Sequence, residues 1–483
     1  MNPRKRLDDD LKSISDNIRD VIRKDSKILI LSSPSVDGIA AGSIVFQTLE
    51  RLSAKCVLRS RSALTDSLRI GNSFSDEYGL CLLIDFEHES VEKLDKHLQN
   101  KWFLIRHLTN EIAPDANEAY NQRVLNINRY DLNGWSEITS GGICYLLSVT
   151  LDTKNSDLSV LAVLSSFGER QDRGEGRSLI GINAEIAKVG ESQGLLRSQS
   201  EDLMMVGREW RPIHEAIALT RFPFLDGLTW NLQRARSIVE NSGIKLKENG
   251  KWRVFTDLVD QEKWSIYDGI AKFVATNSGT EGLPLEGLRG INYTLLKEDR
   301  GTPLRDAREY SDLIGICGKV QKSGVAISIC LGDRFKMLAQ AEETVSRYLD
   351  NQRRSLSNIL AEKWRIWVDR EMVFMNGEGV VTEDALVDII ILLESSPQFL
   401  HKILVGRTVT QTGTYKYCCL MHDIPKYTEM ASAIRNCFSI YNSSPHPYDP
   451  YLLCCEVPPS ELEKFISCLK AASRTNENAR NSR

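Results

Sequence analysis

The sequence predicts an α/β fold: a mostly parallel sheet, then a helical region, then a smaller mixed α/β domain. Three patterns carry that expectation. Over the first third, short apolar runs alternate with helical periodicity, as βα units require. From Gly141 to about Gly243 the strand-like runs give way to helical ones. Beyond Gly290 the alternation returns.

Taken in order, Lys27–Ser32 reads as the first strand. The turn Ser33-Pro34-Ser35-Val36-Asp37-Gly38 then leads into a helix reaching about Arg51, with the small residues Ala40, Ala41 and Gly42. Lys55–Arg59, Gly79–Asp85, Trp102–Arg106 and Val124–Ile127 read as further strands, and Ser90–Leu98 as a helix. Ile143–Leu151 and Leu158–Phe167 are apolar helical stretches, and Leu195–Gly243 is read as helical throughout. In the last part Asn292–Leu296 and Val325–Leu331 are strand-like, and Met337–Trp367 is a long polar helix. The expected division is 1–190 (with a tail over about 1–24), a linker over 191–285, a second domain over 286–471, and a disordered tail over 472–483. There is no internal repeat.

Composition narrows the function classes. The 483 residues carry 61 Lys+Arg against 65 Asp+Glu, a net charge of −4, with 42% hydrophobic and 26% charged residues. That is an ordinary globular mix, which excludes a fibrous or wholly disordered chain. No apolar run reaches the roughly 18 residues a spanning helix needs, so no membrane role is expected. Met1–Arg6 followed by Asp8–Asp10 has no apolar signal segment, which points to the cytoplasm. The eleven cysteines show no Cys-x-x-Cys spacing and are expected to be free thiols. A near-neutral chain can meet nucleic acid only through a local patch.

Ligands of an open parallel sheet bind beyond the carboxyl ends of its strands. Asp37, Asp85, His107 and Glu169 all fall at such ends or just after an adjoining helix. Carboxylates and one imidazole on the same rim form a donor set suited to Mn²⁺ or Mg²⁺. Each alone has a plainer reading: Asp37 as a turn residue, Asp85 as a loop carboxylate, His107 as a structural histidine.

The ordered set of motifs resembles the DHH phosphoesterases. Ser33-Pro34-Ser35-Val36-Asp37-Gly38 is similar to their first motif, His-x-Asp-x-Asp-Gly, and Leu83-Ile84-Asp85 to their second. Leu104-Ile105-Arg106-His107-Leu108 stands where Asp-His-His belongs, and Gly168-Glu169-Arg170-Gln171-Asp172 resembles Gly-Asp-Met-Gln-Asp. Gly207-Arg208-Glu209-Trp210-Arg211-Pro212, Phe224–Thr229, Pro303–Tyr310 and Gly315–Lys319 resemble signatures of the archaeal RecJ-like branch.

That resemblance implies a parallel-sheet DHH domain, a helical linker and a DHH-associated domain. Active relatives hold two metal ions that activate water against a phosphodiester. Here Asp37, Asp85 and His107 match, whereas Ser33, Ser35, Arg106, Leu108 and Glu169 depart from the pattern. The remnant could hold at most one Mn²⁺ or Mg²⁺, and otherwise no cofactor is expected. In the second domain Lys416 is retained, but Leu420 takes the place of an arginine. His446 survives in the loop Asn442-Ser443-Ser444-Pro445-His446-Pro447, which lacks the glycines that precede the histidine in the resembled Gly-Gly-Gly-His. Lys416 and His446 are therefore the candidate nucleic-acid contacts. By resemblance to the cell-division-cycle subunit of the CMG replicative helicase, the implied role is a catalytically inactive replisome component. It would bridge GINS and MCM, bind single-stranded DNA and associate with the nucleoid. The alternative is a weakened Mn²⁺- or Mg²⁺-dependent exonuclease or phosphodiesterase.

Overall fold

The computed structural model describes residues 3–62, 77–86, 98–99, 101–107, 123–278, 285–369, 371–400, 402–421, 428–441, 443–446 and 449–473. The expected helix Ser90–Leu98 lies outside these residues except for Leu98, and so do Leu108, Asn442, Pro447 and the tail beyond Ser473. The chain is α/β and folds as two compact units, residues 1–202 with 290–346 and residues 203–289 with 347–483.

The first unit opens with α1 (Pro3–Arg23). The sequence reading set this segment aside as a tail, but Leu7, Leu11, Ile14 and Ile18 recur at helical spacing and are all buried. Burying such side chains is worth about 1.5–3 kcal/mol each, enough to dock a helix. Strands β1 (Lys27–Ser32), β2 (Cys56–Ser60), β3 (Tyr78–Ile84), β4 (Trp102–Arg106) and β5 (Val124–Asn126) form a parallel sheet in the order β2-β1-β3-β4-β5. Along β1, Ile28 and Ile30 pack into the core on one face, while Leu29 and Leu31 pack into that on the other. Burial on both faces explains the unbroken apolar reading of this strand.

Helices α2 (Val36–Arg51), α3 (Ser140–Leu151), α4 (Ser159–Gly168) and α5 (Gly181–Ser192) complete the N-terminal part of the unit. α6 (Ile213–Leu219), α7 (Leu232–Asn241) and α8 (Asp260–Ser278) belong to the second unit. The segment Leu195–Gly243, read as helical, instead begins with strand β6 (Leu196–Leu203). A two-residue hairpin, β7 (Lys247–Glu248) and β8 (Lys251–Trp252), follows, and β9 (Arg289–Leu295) pairs with β6.

Residues 290–346 fold with the first unit, although the sequence reading grouped them with the C-terminal domain. The cause is α9 (Ala307–Lys319), whose Tyr310, Leu313, Ile314 and Cys317 join the core of the parallel-sheet unit. Val325–Leu331, expected as a strand, is the helix α10 (Ser323–Cys330). Ala326, Ile329 and Cys330 are its buried positions, a helical spacing that a short apolar run conceals. α11 (Lys336–Ala361) ends before Trp367, short of its expected end.

In the second unit, β10 (Ile366–Val368), β11 (Met372–Asn376), β12 (Ile403–Val409), β13 (Tyr415–Leu420), β14 (Ser444–His446) and β15 (Asp449–Val457) make a mixed sheet. Its order is β10-β11-β12-β13-β15-β14. α12 (Leu386–Glu394) packs with one of its cores, and α13 (Thr428–Ser439) and α14 (Leu462–Ser473) with the other. Cys437 and Cys468 form a disulfide between these last two helices, so the expectation of eleven free thiols fails for this pair. Their helices lie side by side on one core and bring the two Cα atoms to 6.0 Å. No described helix is long and apolar enough to cross a membrane.

The turn after β1 is boxed in by glycines. A Cβ at Gly318 would meet the Pro34 carbonyl oxygen at 1.9 Å, and one at Gly168 would meet Val36 Cβ at 2.3 Å. Gly318→Ala is therefore expected to lower the urea midpoint, at a cost of about 1–3 kcal/mol for overpacking. Gly324→Ala, in a helix with nothing within 4 Å of the new methyl, should be neutral or stabilising by up to about 1 kcal/mol. Equal effects of the two substitutions would refute the close-approach argument.

Candidate metal centre at the carboxyl edge of the sheet

The site is assembled from strand ends. β1 stops at Ser32, and Ser35 caps α2, its hydroxyl accepting from the Gly38 N–H at 2.8 Å. Two residues on, Asp37 lies in the first turn of that helix and is fully buried. Asp85 stands one residue beyond β3 with φ +59°, a left-handed conformation that aspartate tolerates better than most residues. His107 stands one residue beyond β4, and Glu169 one residue beyond α4. All four sequence-identified residues therefore meet on one rim.

Asp37 is held by four donors. Its Oδ1 accepts from Gly141 N at 2.6 Å and Ser165 Oγ at 2.5 Å; its Oδ2 accepts from Ser140 N at 2.9 Å. His107 Nδ1 lies 3.0 Å from the same Oδ2. Ser140 and Gly141 open α3, where unpaired backbone N–H groups and the helix dipole favour an anion. Gly141 is required here, because a Cβ would reach Ser165 Oγ at 2.5 Å. Burial opposes the charge on Asp37, but His107, Ser165 and Ser140 together hold its carboxyl below the usual range.

Asp85 is partnered differently. Ser33 Oγ and Ser35 Oγ both donate to its Oδ2, at 2.6 and 2.5 Å. These are the two serines that replace the histidine and aspartate of the resembled motif. Burial and the neighbouring Asp37 charge push Asp85 up to about 6, against the opposing pull of His107 and the two serines. Glu169 is raised well above the ordinary carboxylate range, first by burial and then by the charges of Asp85 and Asp37. Its Oε2 lies 3.6 Å from His107 Nε2, so the imidazole sits between Asp37 and Glu169.

The donor set fits one hard cation. Asp37, Asp85 and His107 each offer a ligand atom within 4.8 Å of the others, and two oxygens with one imidazole nitrogen suit Mn²⁺ or Mg²⁺. Ser33 and Ser35 bring neutral hydroxyls to the same rim. Arg106 directs Nη1 to the Phe86 carbonyl at 3.3 Å. Lys416 lies on β13 opposite Thr408 and Glu456, and His446 on β14 pairs with Asp449 of β15; both belong to the second unit.

Sequence reasoning missed the donors Ser140, Gly141 and Ser165. The signal available for the first two was Thr139-Ser140-Gly141-Gly142 ahead of an apolar run, with Thr139 accepting from Gly142 N at 3.0 Å as the cap. It also left Asp172 among the motif residues without a role. Arg177 and Arg308 hold that carboxylate at 2.8 and 3.0 Å, and Arg308 stacks 4.6 Å from the Phe167 ring.

No family model matches the chain. An uncharacterized protein of Methanocaldococcus jannaschii is 22% identical over 312 residues, which is 63% of this chain and 64% of that relative. CDC45 from Entamoeba histolytica aligns with 96% of this chain and 99% of its own, at TM-score 0.59 and 12% identity. RecJ from Thermus thermophilus, in complex with Mn²⁺, aligns with 96% of this chain at TM-score 0.55 and 12% identity. The alignment spans 55% of that RecJ, about half its length. The DHH domain of a member of the s1p family of ribosomal proteins aligns at TM-score 0.53 and 10% identity, over 98% of this chain and 92% of its own. The fold is the RecJ-like DHH fold.

Because Asp85 titrates higher in the folded chain than the usual 3.8, its ionisation costs stability. Its contribution is fully present below about pH 4 and is lost as pH rises through about 6. Asp85→Asn should therefore stabilise the metal-free protein at pH 7.5 relative to its effect at pH 4, by on the order of 1–3 kcal/mol. Urea titrations in EDTA at both pH values measure this, and an identical effect at both would contradict the assignment.

Proposed function

We propose that this chain is a catalytically silent RecJ-like component of a replication complex, which bridges GINS and MCM and holds single-stranded DNA. The reading includes a cytoplasmic, nucleoid-associated location. One observation carries the silence: Ser33 and Ser35, at the histidine and aspartate positions of the resembled motif, donate to Asp85 Oδ2 and bring no anionic ligand of their own. Two-metal hydrolysis needs one ion to polarise the phosphate and another to generate hydroxide. Both oxygens of Asp37 are likewise committed to protein donors. In the second unit, Leu420 takes the place of the family's arginine and is buried in a core, so β13 lacks that phosphate contact. The likeness to CDC45 supports the partner assignment; Lys416 and His446 remain the proposed DNA contacts.

A second reading rests on the three ligand atoms within 4.8 Å. Asp37, Asp85 and His107, with Glu169 beside them, would hold one Mn²⁺ or Mg²⁺ and sustain slow phosphodiester hydrolysis. The ion would act as a Lewis acid on a phosphoryl oxygen.

End-labelled single-stranded DNA and RNA, incubated with Mn²⁺ or Mg²⁺, separate the readings. The silent component gives no cleavage above background from wild type or Asp85→Ala, while the wild type co-purifies with GINS and MCM. Cleavage that requires metal and disappears in Asp85→Ala would overturn the first reading in favour of the second.

A further inference from the structure

The second unit holds a pair of thiols with no part in the reading above. Cys418 on β13 lies directly opposite Cys454 on the antiparallel strand β15. Residues so paired have Cα atoms about 4.5–5.5 Å apart, inside the roughly 4.4–6.8 Å span of disulfides. Their sulfurs stand 2.7 Å apart. Sequence neighbours do not compete for this contact, because Cys419 and Cys455 point to the opposite face, into the core beneath α13 and α14. Cys418 and Cys454 pack instead with the core that contains α12.

We propose that Cys418 and Cys454 form an oxidisable dithiol site, which a low-molecular-weight disulfide converts to a cross-strand disulfide joining β13 to β15. Cys454 is the partly exposed member and Cys418 the buried one, so the incoming reagent meets Cys454 first. Its thiol is held below the ordinary range by the hydrogen bond from Cys418 and by the Lys416 charge, against the effect of burial. The Cys454 thiolate attacks one sulfur of the reagent, forming a mixed disulfide and expelling one thiolate. Cys418 then loses its proton and attacks Cys454 Sγ, forming the strand-to-strand bond and expelling the second thiolate. Two protein thiols give up two protons and two electrons, and the reagent is reduced to two thiols. The new bond would close 36 residues, a span that contains Cys437, itself bonded to Cys468.

The test uses the full chain, oxidised glutathione as the probe, alkylation of remaining thiols and tryptic mass spectrometry. The expected product links peptide 417–426 to peptide 436–464, which also carries peptide 465–470 through the Cys437–Cys468 disulfide, with two fewer alkylated cysteines than the untreated protein. Because placement in the fold brings the sulfurs together, linkage should form at least about tenfold faster in the native protein than in urea. It should vanish in Cys418→Ser and Cys454→Ser and persist in Cys419→Ser and Cys455→Ser. Where a serine variant does not fold, fragmentation of the wild-type linked peptides distinguishes Cys418 from Cys419. Separate glutathionylation of the two thiols without linkage would overturn the proposal, as would a link that runs through Cys419.

Discussion

The buried carboxylate of Asp37 is the interaction around which the rim of the parallel sheet is organised. It receives two backbone N–H groups from the first turn of α3, the Ser165 hydroxyl of α4 and the ring of His107 beyond β4. An ionised carboxylate in the interior is tolerated only when paired and fully hydrogen-bonded. Asp37 meets that condition by joining four separate elements. Loss of any one donor would leave charge uncompensated, so the geometry of α2, α3, α4 and β4 is mutually constrained.

The other acids occupy a different electrostatic position. Asp85 and Glu169 share the rim with Asp37, and both are pushed toward the protonated form by burial and by neighbouring negative charge. A bound dication would relieve that repulsion, whereas two serine hydroxyls relieve it in part without one. Replacing a histidine and an aspartate by Ser33 and Ser35 thus does more than delete ligands. It supplies neutral hydroxyl donors to Asp85.

The same economy appears away from the rim. Arg308, on α9, joins Asp172 with the backbone carbonyls of Ile291 and Arg177. A guanidinium has five donors in a fixed fork, and this one ties the segment after α4 to β9 and α9. That tie, together with the approach of Gly318 to Pro34, explains why residues 290–346 belong with the N-terminal sheet.

How much of this was legible in the sequence follows from range. Short-range patterns were enough for the strands β1 to β5, the turn into α2 and the placing of Asp37, Asp85, His107 and Glu169 at strand or helix ends. Period and turn chemistry are local properties, and an open parallel sheet brings such ends together. Val325–Leu331 misled because an apolar run of seven residues satisfies strand and buried helix alike. The disulfide between Cys437 and Cys468 depends on two helices meeting across 31 residues of chain, which no spacing rule encodes. By itself the sequence determined the α/β class and the presence of serines at positions 33 and 35 beside Asp37. Only the tertiary structure decided how those serines are used: whether Ser33 and Ser35 leave a void or satisfy Asp85 depends on distances between side chains from different strands, and those distances exist only once the sheet has closed.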